Sequence, residues 1–222
     1  MKKLEFEGTD GAGKTTGLKY FIEQAEKRGL SVIETREVGN PNVPICVKLR
    51  ETVLAKDSGL SGEAMELIFG AMRFENDRWL KNLEQSAACP DLVVSDRGWF
   101  SHLAYTDHNV SKEFTNTLYS NAIGKLTAMP DVVIYFGVNT ETALKRRQRR
   151  GLEMDAIEIK GTGFQEKVRE SFENYIFEAE GVEKYFVDAN QDLDNVKRQL
   201  DSILDQIAST IKKKPSELLG MC

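Results

Sequence analysis

The chain has 222 residues, 41% hydrophobic and 29% charged, which argues for one large α/β-sized globular domain, or two small ones, with a sizeable core. Its net charge of −5 argues against nonspecific binding to nucleic acid, although a local basic site remains open. Cys46, Cys89 and Cys222 are far apart and odd in number, no stretch approaches about 18 uninterrupted apolar residues, and Glu5 and Glu7 break the run after Met1-Lys2-Lys3, so reduced thiols in a cytoplasmic setting are expected, with no disulfide framework, membrane span or signal peptide.

Leu4 and Phe6 alternate with Glu5 and Glu7 as a short first strand. Gly8-Thr9-Asp10-Gly11-Ala12-Gly13-Lys14-Thr15 then follows the pattern G-x-x-x-x-G-K-[ST]. Gly11 and Gly13 let the backbone bend so that several N–H groups converge on a phosphate. Lys14 adds a mobile positive charge, and the Thr15 hydroxyl can hold Mg²⁺. A helix beginning near Lys14 points its positive end at the same phosphate. Leu18, Phe21, Ile22 and Ala25 form one face of that helix, and Gly29 ends it.

A second strand is expected over 31–35, a loop over 36–41 and a helix over 44–55. A long helix fits about 61–84, with Ser61 as its N-cap and Met65, Ile68, Met72 and Trp79 on one stripe. Leu92-Val93-Val94 suits a strand buried on both faces, and it ends in Ser95-Asp96-Arg97-Gly98. A helix over about 111–128, a fourth strand over 131–136 and a helix over 140–150 come next. Gly161 and Gly163 mark a loop, followed by a helix over about 164–178, a fifth strand at 185–187 and a final amphipathic helix over 193–211. Lys212-Lys213-Lys214-Pro215 reads as a solvated tail.

Strands alternating with helices, without repeats or linkers, imply one α/β domain over 1–222. Its sheet is five-stranded and mainly parallel, with helices on both faces and a short lid at about 146–163. In such folds ligands bind beyond the carboxyl ends of the strands. Asp96 stands there like a Walker B acid, placed to hold a Mg²⁺-bound water, and Arg97 can bind a second phosphate bidentately; the alternative is a surface ion pair. Arg146, Arg147, Arg149 and Arg150 repel one another unless solvated or facing anions. Together these parts suit transfer from ATP to an already phosphorylated acceptor, where a Lys, a Mg²⁺ and several arginines offset the charge of two phosphate groups.

Several stretches together resemble one family. Residues 6–16 are similar to the P-loop of thymidylate kinases, and Asp96-Arg97-Gly98-Trp99-Phe100-Ser101-His102-Leu103-Ala104-Tyr105-Thr106 is similar to their signature. Leu67-Ile68-Phe69-Gly70-Ala71-Met72-Arg73 resembles their base-binding helix, and residues 130–136 and 187–190 resemble the strand before their lid helix and the loop near their adenine pocket. The resemblance implies a homodimeric P-loop nucleoside monophosphate kinase that phosphorylates thymidine monophosphate with MgATP, for deoxynucleotide triphosphate synthesis. Gly11, Ala12, Gly13, Lys14, Thr15 and Thr16 would hold the ATP phosphates, Thr15 and Asp96 the Mg²⁺, and Arg146 the adenine. Asp10 would accept from the sugar 3′-hydroxyl, while Arg97 and Arg36 would bind the acceptor phosphate. Phe69 would stack on thymine and Arg73 would donate to a base carbonyl. Ser101 and Thr106 would neighbour the base, and Tyr105 would crowd a ribose 2′-hydroxyl.

Alternatives stand beside these roles. Phe69 and Tyr105 also fit a core, Ser101 a cap, and Arg73 an i,i+4 pair with Asp77. His102 and His108 read as structural or exposed. The chain departs from the family at Val38, where members usually carry a proline, often cis, and at Gly98, where many have Tyr. It also lacks both an arginine inside the P-loop, at Gly11, and one in the Met154-Asp155-Ala156-Ile157-Glu158 run, which assigns the transition-state charge to Arg149 or Arg150. The rivals are a kinase of another monophosphate, a deoxynucleoside kinase with Glu37 as base, and a nucleotide-binding switch or assembly protein.

Overall fold

The computed structural model describes residues 1–55, 57–106, 108, 110–150 and 162–211. Along them run β1 (Lys2–Glu7), α1 (Lys14–Lys27), β2 (Val32–Arg36), α2 (Pro44–Leu54), α3 (Gly62–Glu84) and β3 (Leu92–Asp96). After them come α4 (Trp99–Thr106), α5 (Lys112–Thr115), a π-helical stretch (Asn116–Ile123), α6 (Gly124–Leu126), β4 (Val132–Gly137) and α7 (Thr140–Arg150). α8 (Thr162–Glu178), β5 (Glu183–Asp188) and α9 (Leu193–Thr210) complete the order. The tail from 212 and most of the expected lid, 151–161, lie outside the described residues.

The strands stand in the order β2-β3-β1-β4-β5, and every ladder is parallel. Parallel strands need crossovers, and the intervening helices cover both faces. On one face Leu4 and Phe6 of β1 meet Leu18, Phe21 and Ala25 of α1 and Leu200, Leu204 and Ile207 of α9. On the other, Val133 and Tyr135 of β4 meet Trp99 and Phe100 of α4 and Val168, Phe172 and Ile176 of α8. A satellite core of Cys46, Val53, Phe69 and Met72 joins α2 to α3. Ser61 accepts the Ala64 N–H at 3.2 Å, capping α3 as expected.

Two elements differ from expectation. α4 occupies the stretch after Asp96-Arg97 that had no assigned element, because eight residues with only Ser101, His102 and Thr106 polar are too short to show a clear helical period. The helix expected over 111–128 widens in its middle into π turns, with Gly124 N–H donating to Tyr119 O. The wider turn places the fully buried Tyr119 edge-on to Trp99 at 5.9 Å. Among the described residues no helix is long and apolar enough to cross a membrane.

Candidate active site

Phe6 and Asp96 pair across β1 and β3, and Arg36 and Asp96 across β2 and β3, so three strands end level. The chain leaves β1 toward β2 and leaves β3 toward β4, on opposite sides, which opens a crevice between their ends. The glycine-rich loop fills it. Gly11 and Gly13 have φ of 88° and 91°, in the left-handed region that side chains resist. A Cβ on Gly11 would lie 2.4 Å from Ala143 O in α7, so no arginine fits at this point of the loop.

Lys14 is buried, and its ammonium donates to Gly8 O at 2.8 Å and Thr9 O at 3.0 Å. Burial first, and then the charge of Arg97, push its pKa down to about 8. Thr15 Oγ1 donates to Asp96 Oδ2 at 3.1 Å. These are hard oxygen donors side by side in one cavity, the kind of set that holds Mg²⁺ together with phosphate oxygens and waters. Residues 10–17 line a cavity of about 500 Å³ with Asp96, Arg97, Arg146, Gln191 and Leu193. The Arg146 guanidinium spans it, 3.5 Å from both Ala12 O and Gln191 O.

A second cavity, of about 180 Å³, opens on the other side of Asp10 and Arg97, which line both. Arg97 has φ 68°, the one positive φ outside glycine among the described residues. That backbone costs on the order of 1 kcal/mol and occurs where the surroundings enforce it. Here Arg97 N–H donates to Phe6 O at 3.0 Å, while the guanidinium reaches Gly8 O and Ser101 Oγ, both at 3.2 Å, and pairs with Asp10. Tyr105 OH donates to Asp10 Oδ2 at 3.1 Å, and its ring lies 5.2 Å under the Arg97 guanidinium. Burial alone would raise the Asp10 pKa, but Arg97 and Lys14 hold it below the usual carboxylate range.

Two acids that sequence reasoning did not single out position this corner. Glu5 and Glu7, two apart on β1, share one face and point at α4. Glu5 Oε2 accepts the Trp99 N–H at 2.9 Å, and Glu7 accepts the Ser101 N–H at 3.0 Å and its hydroxyl at 2.5 Å. They satisfy the first-turn donors of a helix that lacks a side-chain cap. Burial raises the pKa of both. A Cβ at Gly98 would fall 2.0 Å from the Glu5 carboxyl carbon, which explains glycine where Tyr is common.

At the far end of the smaller cavity stand Glu37, Val38, Glu66, Phe69, His102 and Thr106. Phe69 is 8% exposed and belongs both to the cavity wall and to the α2–α3 core. Glu66 Oε2 accepts from Thr106 Oγ1 at 2.8 Å and Tyr119 OH at 2.7 Å. The Glu37–Val38 peptide bond is cis, as it often is at the proline that Val38 replaces.

Not every expected residue reaches a cavity. Arg73 is buried below the second one. It pairs with Glu37 Oε2 at 2.5 Å, donates to Thr127 Oγ1 and Ala128 O at 3.1 Å each, and packs over the Trp99 ring at 4.7 Å. The pair with Asp77 does not form; Asp77 binds Lys81 and the Ala128 N–H instead. Arg36 turns from the acceptor cavity and donates to Gly39 O at 3.0 Å, while Arg50 of α2 lines that cavity and donates to Val38 O at 2.6 Å. Arg149 is exposed, and the Arg150 side chain lies outside the described residues. Arg147 is half-buried, its Nε lacks a hydrogen-bond partner among the described residues, and its charge helps hold Asp10 ionised. His108 approaches Ser171 Oγ at 3.1 Å, and His102 is buried in the wall of the smaller cavity. The basic run 146–150 was the signal for Arg147, and the stretch after Asp96 was the signal for His102. Arg50, Glu66 and Gln191 had none.

A family model described as thymidylate kinase matches residues 6–200. The chain is 29% identical over 213 residues to the thymidylate kinase of Bacillus pumilus, covering 95% of this chain and 96% of that protein. It is 30% identical over 207 residues to that of Pseudomonas syringae pv. tomato, covering 92% and 95%. It is 31% identical over 177 residues to that of Mesoplasma florum, covering 78% and 81%.

Proposed function

The chain belongs to the thymidylate kinase family, and from that membership we propose that it transfers the γ-phosphoryl group of ATP to the 5′-phosphate of thymidine monophosphate, giving ADP and the diphosphate for deoxynucleotide triphosphate synthesis. The observation that carries this reading is that Asp10 and Arg97 line both cavities. Two ligands seated one in each would meet across this wall, as an in-line transfer between phosphate groups requires.

In the larger cavity the N–H groups of Gly11 to Thr16, the start of α1 and Lys14 hold the ATP phosphates. Arg146, beside Gln191, lies against the adenine. Thr15 and Asp96 would hold Mg²⁺, which would supply neutralisation of the phosphate charge. In the smaller cavity Arg97 binds the acceptor phosphate and Asp10 the sugar 3′-hydroxyl. Phe69 stacks on the base, Tyr105 fills the space of a 2′-hydroxyl, and Ser101 and Thr106 shape the surrounding wall. Arg50 takes the place at the cavity expected of Arg36. Arg147, rather than the exposed Arg149, supplies charge to the transferring group. The chain acts as a homodimer in this reading, and Leu67 and Phe74, seven apart on α3 and 55% and 38% exposed, offer apolar surface for it.

A deoxynucleoside kinase would need Glu37 as base, but Arg73 occupies one of its oxygens and Asn76 the other, at 2.8 Å. A switch protein would leave the second cavity without a role. A coupled ADP-release assay across monophosphates and nucleosides tests the reading. Turnover with thymidine monophosphate and none with thymidine is expected, and absence of turnover with the monophosphate refutes it.

A further inference from the structure

Arg97 stands in the wall between the cavities, and its guanidinium has two kinds of anchor. One is Asp10, which pairs with Nη2. Asp10 lines both cavities, so a ligand entering either one competes for that pair. The other is Ser101, whose Oγ accepts from Nη1 at 3.2 Å. The group that fixes the Ser101 hydroxyl lies deeper.

That group is Glu7, the last residue of β1, fully buried and part of the lining of neither cavity. Its Oε1 accepts the Ser101 N–H at 3.0 Å, and its Oε2 accepts the Ser101 hydroxyl at 2.5 Å. The first contact caps the start of α4. The second has a separate consequence. A serine hydroxyl has one proton and two lone pairs. Because Glu7 takes the proton, only lone pairs remain for Arg97. Glu7 thus sets the direction of a hydrogen bond that it does not itself make. A ligand can displace Asp10 from Arg97, but it does not reach Glu7, so this hold persists in the occupied site.

We propose that Glu7 is a positioning residue for the acceptor phosphate: through the Ser101 hydroxyl it keeps the Arg97 guanidinium turned toward that group. The inference rests on the monophosphate-kinase reading and names what steadies the cation its two sites share. Both Glu7 oxygens meet donors, which a carboxylate accommodates, whereas a glutamine sets its amide N–H₂ against one of them. At the other end of the side chain, Ser95 Oγ donates to Arg97 O at 2.6 Å and fixes the turn from which the arginine starts. Misplacing a group of this kind by about 1 Å costs on the order of 10²-fold in rate.

Glu7→Gln and Ser101→Ala, each made alone and together with Arg97→Ala, test this. The measurements are kcat/KM for thymidine monophosphate, calorimetric binding of that nucleotide and of ATP, and Tm. Ser101→Ala keeps the N–H that caps α4 and loses only the hydroxyl. Each variant alone is expected to lower kcat/KM by about 10–100-fold and monophosphate binding by about tenfold, with ATP binding within about threefold of wild type. Beside Arg97→Ala, either change should lower kcat/KM by less than about threefold, because no guanidinium is left to hold. A part played only in capping α4 predicts another pattern: a lower Tm for Glu7→Gln, little change for Ser101→Ala, and equal losses with and without Arg97. Ser101→Ala within twofold of wild type, or equal losses in the two backgrounds, overturns the proposal. Glu7→Asp, an acid one methylene shorter, carries the same comparison if Glu7→Gln does not fold. If the wild type binds thymidine monophosphate but transfers nothing to it, the kinase reading fails, and binding across the two backgrounds still decides the role of Glu7.

Discussion

The two cavities that share Asp10 and Arg97 are built in opposite ways. The larger is centred on eight consecutive residues of one loop and helix start, whose backbone N–H groups at the start of α1 suit an anion. The smaller is a side-chain site drawn from the ends of β1 and β2 and from α2, α3 and α4. Its polar groups already hold one another: Arg97 with Asp10, Arg73 with Glu37, Glu66 with Thr106 and Tyr119. The backbone site relies on the ligand to complete its hydrogen bonds. The side-chain site is preorganised before anything enters, which lowers the entropy cost of binding and makes selection possible.

Arg97 is where the two designs meet, so Arg97→Ala is expected to have the largest effect. It removes the acceptor-phosphate cation and leaves Asp10 without its partner, and kcat/KM for thymidine monophosphate should fall by about 10³-fold or more. ATP binding, held by the loop backbone and Lys14, should change by less than about tenfold. Steady-state kinetics with equilibrium ATP binding decide this. A variant keeping a tenth of its kcat/KM would mean that the shared wall does not join the sites.

The next effect separates the cavities by stability. Arg73→Ala strands the Glu37 carboxylate, 7% exposed, and removing one partner of a buried pair costs about 3–5 kcal/mol. Arg146→Ala, at the rim of the backbone site, should cost less than about 1 kcal/mol. Urea unfolding of both variants provides the measurement. Arg73→Ala combined with Glu37→Gln should recover part of the loss, since no unpaired charge then remains. Equal costs for Arg73→Ala and Arg146→Ala would erase the distinction.

The same contrast explains what could be read in advance. The strand and helix order and the phosphate loop were legible because each is a local pattern: period two, period 3.6, or glycines at fixed spacing. The parts proposed for Lys14, Thr15 and Asp96 could be read from their places in that loop and at a strand end, whereas the part proposed for Asp10 came from the family resemblance. The pairing of Arg73 with Glu37 was not legible because the two lie 36 residues apart, and no local pattern records a contact at that distance. Arg36 and Arg50 exchanged places at the cavity because the turn at Val38 and Gly39 decides which guanidinium faces inward. Glu5 looked like the polar side of a strand. It is buried because a glycine 93 positions later makes room for it.

A smaller effect concerns the arginines of α7. Arg147→Ala is expected to lower kcat by about 10–100-fold with KM values changed less than threefold, because its charge acts where the phosphates meet. Arg149→Ala, on the exposed side, should stay within about threefold of wild type. Single-turnover kinetics separate this from product release. The reverse ranking would restore the assignment of that charge to Arg149.

The smallest effect is one of pH, and it asks whether the two cavities differ in the cation that holds the anion. Lys14, pushed down to about 8 by burial and by Arg97, is largely protonated at pH 7. The phosphates of ATP favour its charged form, so binding raises its pKa. Above about pH 8 the free protein has lost that proton while the complex keeps it. ATP binding therefore takes up a proton there and weakens with rising pH, by at most tenfold per unit. Below about pH 7 this group adds no slope. Calorimetry near pH 8.5 in two buffers of different ionisation enthalpy should detect the uptake, and Lys14→Arg should abolish it while retaining a charge. The acceptor phosphate meets Arg97 instead, whose guanidinium stays protonated throughout this range. Thymidine monophosphate binding should then show a much shallower slope across the same interval. Equal slopes for the two ligands would mean that Lys14, and not Arg97, governs both sides of the wall.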